Sequence, residues 1–499
     1  MPFLFCMKEV TKMGEEVKSP TCYVGREVLF TSEKVITKDN LLKVLERVLP
    51  IYEKNKNESD YLYRYYRGKQ PILNRVKKFR PEINNKIVEN HANEIVSFKK
   101  GYTFGEPVQY VRRAVKDRGT VNPSGDNGEA IMRLNEIMAC ENKASSDDEL
   151  AEWFFICGTA YRMALPKEDD DDTVSKIEME TLDSRYTAIV YNTGFGKKPV
   201  MSIQEVVVDS ENDKRRFCIY TPHEYFEVED GEIVKCESHV LGTIPIIEYP
   251  ANNTRIGAFE LVLQLLDAIN LATSNRLDGI EQFIQSFMKF VNVRIDKEKY
   301  EQLKEEGALL FTSEPGNPAE VGIVSSELNQ SQTQIAVDHL YQMVLIICGM
   351  PDRQGNNRTT GDTGQAVMLR DGWAAAEAKA KETESSFKKS EKKFLKYILS
   401  LEDDLRLKVS DIDIKFTRNK TDNLLTKTQG LQNMLEAGVA PQIAFSLSNL
   451  FSDPEQSCKD SESYLQKWVP KKEPEKGSEG NELNENLTPS NNKPNPEEE

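Results

Sequence analysis

Histidine is scarce in this chain, with four residues among 499, at positions 91, 223, 239 and 339. None has HExxH or other paired-ligand spacing, which removes the common zinc-hydrolase patterns. His339, beside Leu340 and Tyr341, reads as a packed or interface side chain rather than a ligand. Cysteine is equally uninformative as a ligand. Its eight residues are scattered and form no CxxC, so neither a disulfide framework nor a zinc site is expected, and the thiols read as reduced in a cytosolic product. A phosphate-binding Walker loop is missing. The nearest approach, Gly194-Phe195-Gly196-Lys197-Lys198, has Tyr191 where the first glycine belongs and Lys198 where the hydroxyl belongs, and reads as a turn between strands. No GxSxG elbow occurs, and Asp411 and Asp413, which share a strand face, read as its solvent side. No catalytic residue, metal site or cofactor is therefore assigned.

Positive charge is also in deficit. Sixty-five Lys and Arg against 81 Asp and Glu leave a net charge of −16, which argues against a simple basic clamp on nucleic acid and for poor affinity toward free DNA. Long hydrophobic runs are absent too. Met343 to Met350 is less than half of the roughly 20 residues a membrane span needs, and the N-terminal segment lacks signal-peptide features, so a soluble, unsecreted protein is expected.

What remains is a large, wetted α+β chain. Its 38% hydrophobic and 29% charged residues allow real cores, and its length suggests about three domains. Apolar spacing predicts helices from Leu41 to Arg67, Ile83 to Lys99, Glu129 to Asn142 and Ser146 to Gly158, with a short strand around Tyr110 between the second and third. Gly101 to Pro107 is read as a break after the second helix. Alternation then predicts strands at 176–181, 187–191, 199–208, 216–220, 225–228 and 232–234, a β-rich layer whose Glu168 to Asp172 run reads as a solvated hairpin tip. Leu241 to Pro250 leads out of the sheet to a helix from Arg255 to Lys289, on the order of 50 Å long and capped from Asn252-Asn253-Thr254. A small α/β insert follows, then a helix from Ser331 to Cys348 that stops at Gly349. After an irregular 351–364 loop, a three-and-four repeat from Ala366 to Leu401 predicts one helix of roughly ten turns from Thr363, with Glu377/Lys381 and Glu384/Lys388 on its exposed face. A strand at 411–416, helices at 422–436, 441–450 and 457–467, and a disordered stretch from Pro470 complete the reading. Two helices flanking a small knob cannot bury both faces within one monomer, which points to neighbouring copies.

Tyr65 to Ile72, Gly242 to Tyr249 and Gly361 to Leu369, each with neighbouring segments, resemble the portal proteins of tailed bacteriophages, in the siphophage portal family. Tyr65 to Ile72, Asn84 to Asn90 and Gly101 to Val108 are similar to the family's opening. Gly242 to Tyr249, with Asn252-Asn253 and the Phe259 to Asn270 helix, resembles its passage from wing to stem. Gly361 to Leu369 resembles the small-residue turn that launches its long helix. The resemblance covers about 40–450. It implies a homododecameric ring at a capsid vertex, through whose channel the terminase motor drives double-stranded DNA. The implied subunit has a wing (1–254, with a kinked long helix over 363–401), stem helices (255–290 and 331–350), a clip (291–330), a tunnel loop (351–362), a crown (402–469) and a disordered tail (470–499). Implied partners are further copies of the chain, the terminase large subunit, scaffold and major capsid protein, and head-tail connector proteins, with no membrane. The implied location is the virion, with assembly in the host cytoplasm.

Within that frame Arg353, Asn356, Asn357 and Arg358 of the tunnel loop either approach the DNA backbone or form a polar turn whose arginines pair with acids on the next subunit. Arg294, Lys297, Lys299 and Lys304 in the clip either dock the terminase and later head completion proteins or belong to an intersubunit knob. A scaffold or other minor capsid protein would share the acidity and helices without needing the insert. A nucleic-acid-processing enzyme would need a nucleotide or metal site that the sequence does not display.

Overall fold

The computed structural model of the chain describes residues 25–78, 80–113, 126–167, 175–209, 214–284, 287–291, 320–324, 330–352, 372–418, 424–448, 450–451, 456–461 and 464. The chain divides after Thr421 into a large unit and a small C-terminal one. The large unit begins with β1 (Leu29–Thr31), α1 (Leu41–Tyr66), α2 (His91–Phe104), β2 (Gln109–Arg112), α3 (Asp126–Cys140) and α4 (Lys143–Cys157). Strands β3 (Thr159–Pro166), β4 (Ile177–Leu182), β5 (Thr187–Asn192), β6 (Pro199–Asp209), β7 (Lys214–Tyr220), β8 (Glu224–Glu229), β9 (Glu232–Ser238) and β10 (Ile246–Pro250) follow. Then come α5 (Leu263–Ile284), β11 (Phe287–Val291), β12 (Glu320–Val324), α6 (Gln330–Cys348), α7 (Trp373–Leu401) and β13 (Ile412–Lys415).

One sheet has the order β1-β5-β6-β7-β8-β9, antiparallel except for β1, which runs parallel to β5. Its inward side chains, among them Val190, Ile203, Phe217 and Phe226, meet Leu41, Val44, Leu45, Val48 and Tyr52 of α1, whose spacing puts them on one helical face. The second half of α1 sends Leu62 and Tyr65 into a larger core built on the antiparallel β10-β3-β4 sheet and on α2 to α7. A single helix thus ties two cores together. In the C-terminal unit α8 (Leu424–Glu436) packs on α9 (Pro441–Ser448), and Phe445 stacks on Phe451 at 4.9 Å.

Several sequence expectations are corrected. The helix expected over Ile83 to Lys99 starts only at His91, because 84–90 is extended and its amides bond to α5; it then runs through Gly101 to Phe104. Ile246–Pro250 leaves the six-stranded sheet but is itself a strand, paired in the second sheet with β3, whose largely buried run of side chains gave no alternation to read. No helix begins at Arg255. Asn252 Oδ1 accepts the Thr254 and Ile256 amides, Arg255 takes φ +55°, and regular α-helix starts at Leu263 and ends at Ile284, about 33 Å of it. Phe287, expected on that helix, lies in β11. The tight 254–257 turn needs glycine opposite it: at Gly158 (φ +73°) a Cβ would stand 2.2 Å from the Arg255 carbonyl oxygen. Finally, the ten-turn helix is not continuous, since Gly372 at φ +81° leaves the helical conformation immediately before Trp373.

Candidate functional site

Helices α5 and α6 pack together as an antiparallel pair. At one end β11 pairs with β12 from Phe287↔Val324 to Val291↔Glu320, and Arg276 donates to Gln334; at the other, Cys348 Sγ lies 3.6 Å from the Ala258 carbonyl. The end of α6 is fixed closely. Gly349 N–H bonds to Ile346 O and Met350 N–H to Leu345 O, a Schellman closure, and Lys99 Nζ donates to the Cys348 carbonyl at 2.7 Å.

What seats this pair is a ladder between an extended segment and a helix. The amides of Asn85, Ile87 and Glu89 donate to the side chains of Asp278 (2.7 Å), Ser274 (3.0 Å) and Asn270 (2.8 Å). Two residues of extended chain rise about 6.6 Å and four residues of helix about 6 Å, so the two periods match and every second amide finds every fourth side chain. Around Asn270 three of the sequence segments that suggested a family converge. Asn270 Nδ2 donates to Gln70, Gln70 donates to Asn90 at 3.1 Å, and Asn90 Nδ2 holds the Tyr66 carbonyl at 2.8 Å. Asp278 also takes Lys77 (2.9 Å) and Arg75 (3.0 Å); burial pushes its carboxyl up, but the hydrogen bonds from the Asn85 amide, Lys77 and the Asn85 side chain outweigh it and hold it below the ordinary carboxylate range.

A histidine couples the ladder to both helices. His91 Nδ1 is 2.8 Å from Glu94, and Nε2 is 3.2 Å from Glu89. Burial alone would lower its pKa, but the two carboxylates outweigh it and raise it to about 9, so the ring is an imidazolium at neutral pH. Glu89 accepts from Thr273 of α5, Glu94 from Tyr341 of α6 at 2.8 Å, and the Tyr341 ring lies 4.6 Å from the imidazole. A cleft of about 390 Å³ opens beside these groups and Arg276. It offers charge but no activated nucleophile; its chemistry is that of a joint. The histidine count had set His91 aside, and the missed signal was a histidine with acids two residues before and three residues after it on a helix start.

The surface of the pair is apolar and poor in cations. Leu271, Ile280 and Ile347 are exposed, and Ile335 and Ile346 are each 67% exposed, far more than a satisfied core face allows. Over 263–284 and 330–348 a single Arg276 stands against Asp267, Asp278, Glu281 and Asp338.

Both groups of residues singled out from the sequence, Arg294, Lys297, Lys299 and Lys304, and Arg353, Asn356, Asn357 and Arg358, lie outside the described residues, as do Glu168 to Asp172 and everything beyond 464. Where those two segments leave the fold and return is described. The β11–β12 pairing closes the base of 292–319, and a Cβ on Gly372 would stand 3.6 Å from Met350 O and 3.7 Å from Pro351 Cα, so the chain re-enters beside its exit. His339 is exposed rather than packed, Asp413 faces solvent, and Gly194 to Lys198 forms the β5–β6 turn. Glu377 does pair with Lys381 at 3.7 Å, but Arg418 binds both Glu377 and Glu384. Among the described residues no group of His, Cys, Asp and Glu is placed to hold a metal, and no helix is long and apolar enough to cross a membrane.

Compared with known proteins, residues 45–468 match the family described as phage portal protein, SPP1 Gp6-like. No curated protein sequence matches the chain significantly.

Proposed function

Since the chain belongs to that phage portal protein family, a structural component of the capsid vertex and not a known enzyme family, we propose that it closes into a dodecameric ring whose channel is lined along α5 and α6. The observation that carries this is the helix pair itself: four exposed isoleucines and one leucine that neighbours must cover, with one cation against four acids along its length. Double-stranded DNA slides past such a wall without deep phosphate-binding wells, because each Lys or Arg contact releases counterions and holds the duplex. Segment 291–330, with β11 paired to β12 at its base, is the clip. There Arg294, Lys297, Lys299 and Lys304 dock the terminase during packaging and connector proteins afterwards. Segment 353–371, whose ends meet at Met350 and Gly372, carries the tunnel loop, and Arg353, Asn356, Asn357 and Arg358 touch the passing backbone.

Native mass of the purified protein, with top-view electron micrographs, tests the ring directly. A closed ring with a central hole is expected. A monomer or dimer that persists at high concentration, and is not driven to rings by scaffold or capsid protein, overturns the reading. Replacing Arg353 and Arg358 by alanine should reduce packaging yield or packaged DNA length. Reversing the clip lysines should weaken terminase pull-down while rings still form.

A further inference from the structure

In a chain of net charge −16, α7 carries an unbalanced basic stripe. Lys381, Lys388, Lys389, Lys392 and Lys396 fall within about 100° of the helix circumference at 3.6 residues per turn, on the side away from buried Phe387, Phe394 and Ile398. Lys381 has Glu377 at 3.7 Å, and Lys388 lies over the Phe416 ring at 5.6 Å. Among the described residues no carboxylate pairs with Lys388, Lys389, Lys392 or Lys396, and Lys389, Lys392 and Lys396 are exposed.

An opposite surplus sits elsewhere on the same layer. Asp148, Glu149 and Glu152 on α4 and Glu178 and Glu180 on β4 are answered, among the described residues, by Lys100 alone, which reaches Asp148 at 2.9 Å and Glu152 at 3.5 Å. Burial first, then the charges of Glu180, Glu152 and Asp183, raise the Glu149 carboxyl, so these acids repel one another where they stand. The sheet order is β10-β3-β4. Helix α7 packs on β10 at one edge, and α4 packs on β3 and β4 at the other. Helices α4 and α7 meet through their buried faces, where Glu391 faces Lys143 at 3.0 Å, and among the described residues no ion pair joins the outward lysines of one to the outward acids of the other.

We propose that the lysine stripe of α7 docks onto the α4–β4 acidic surface of the next copy of this chain, as the charged rim of a head-to-tail interface. Two different, complementary patches on one subunit give a heterologous contact, which repeats around a ring and can close it. Contacts of this kind set register and speed assembly more than they add affinity, and salt screens them. This rests on the ring reading above and assigns two of its surfaces.

The test compares full-length wild type with three variants at low and high salt by native mass and electron microscopy: Lys389→Glu/Lys392→Glu/Lys396→Glu, Glu149→Lys/Glu178→Lys/Glu180→Lys, and the six changes combined. Either triple reversal should raise the concentration for half-assembly about tenfold or more at low salt, and the combined chain should return toward wild type. The residues are exposed, so the monomer's thermal midpoint should move little, and the acidic set serves as an independent check on the basic one. If wild type forms rings and the lysine reversal assembles equally well, or the combined chain is no better than either triple, the surface assignment falls while the ring stands. Loss of binding to a DNA duplex with ring assembly unchanged would assign the stripe to phosphate and overturn the proposal. A wild type that never forms rings sinks the ring reading itself.

Discussion

Two long helices are attached to the same core by opposite chemistry. Helix α7 is held through a fully buried ionic knot. Glu391 accepts from Tyr249 at 2.6 Å and from Tyr110, and faces Lys143 at 3.0 Å and Arg162 at 3.6 Å; Lys143 and Arg162 both reach Asp147. The Arg162 guanidinium also lies over the Phe394 and Tyr249 rings, at 5.2 and 5.5 Å. Helix α5 is held through the ladder of Asn270, Ser274 and Asp278, side chains that are themselves buried but whose partners, the 85–89 amides with Lys77 and Arg75, lie nearer the surface. In the first, burial pushes Glu391 up, yet Lys143, Arg162 and two hydroxyls outweigh it and leave the carboxyl well below its ordinary range. In the second, neutral groups carry most of the contacts, and only the cations that reach Asp278, Lys77 and Arg75, keep some access to water. A knot of buried charges admits one arrangement, because any unpaired member is costly. A ladder of separate hydrogen bonds loses its members one at a time. The helix carrying the proposed channel wall is thus the one with the more graded attachment.

The comparison breaks most severely at Glu391. Glu391→Ala leaves two buried cations without their shared carboxylate and should cost on the order of 3–5 kcal/mol in urea unfolding, whereas Glu391→Gln/Arg162→Met should lose less than the sum of the two single changes. A loss under about 1 kcal/mol for Glu391→Ala would mean the knot does not fix α7. The sign with pH follows from the lowered carboxyl: its contribution is complete above about pH 4.5 and disappears as pH falls through the folded value. Next in size is Asn270→Ala, which strands the Glu89 amide and Gln70 and should cost about 1–3 kcal/mol, with hydrogen exchange rising at 85–91 and not at β10. Equal exchange at both would show that the two seats are one cooperative unit.

His91 comes third. Its raised pKa makes its contribution complete below about pH 6.5 and lost as pH rises through about 9. His91→Gln should therefore flatten the pH dependence of the unfolding midpoint in that window, by on the order of 1 kcal/mol after solvent screening of this partly open cluster. An unchanged slope would place the titration elsewhere. The baseline is an exposed pair such as Lys379–Glu382 on α7, at 3.3 Å; Lys379→Ala should change stability by less than about 0.5 kcal/mol.

Periodicity alone was sufficient for elements whose two faces meet different surroundings. Helix α1, with apolar residues at helical spacing, and strands β4, β7 and β8, with alternating ones, stand where their patterns put them, because a half-buried element writes its period into its side chains. The order of motifs likewise carried the family. What the sequence by itself did not determine were β3 and β10, whose burial on both faces erases alternation, and the extended 84–90 segment, whose partners lie almost 200 residues away. The charged site residues chosen from the sequence owe their choice to position in the chain, and what the tertiary structure contributes is the closure of the segments that carry them. It alone decided that Gln70, Asn90 and Asn270 form one cluster, and that His91 is an imidazolium between two carboxylates. Composition counts a histidine or an asparagine, but its protonation and its partners follow from which groups folding brings within hydrogen-bond distance.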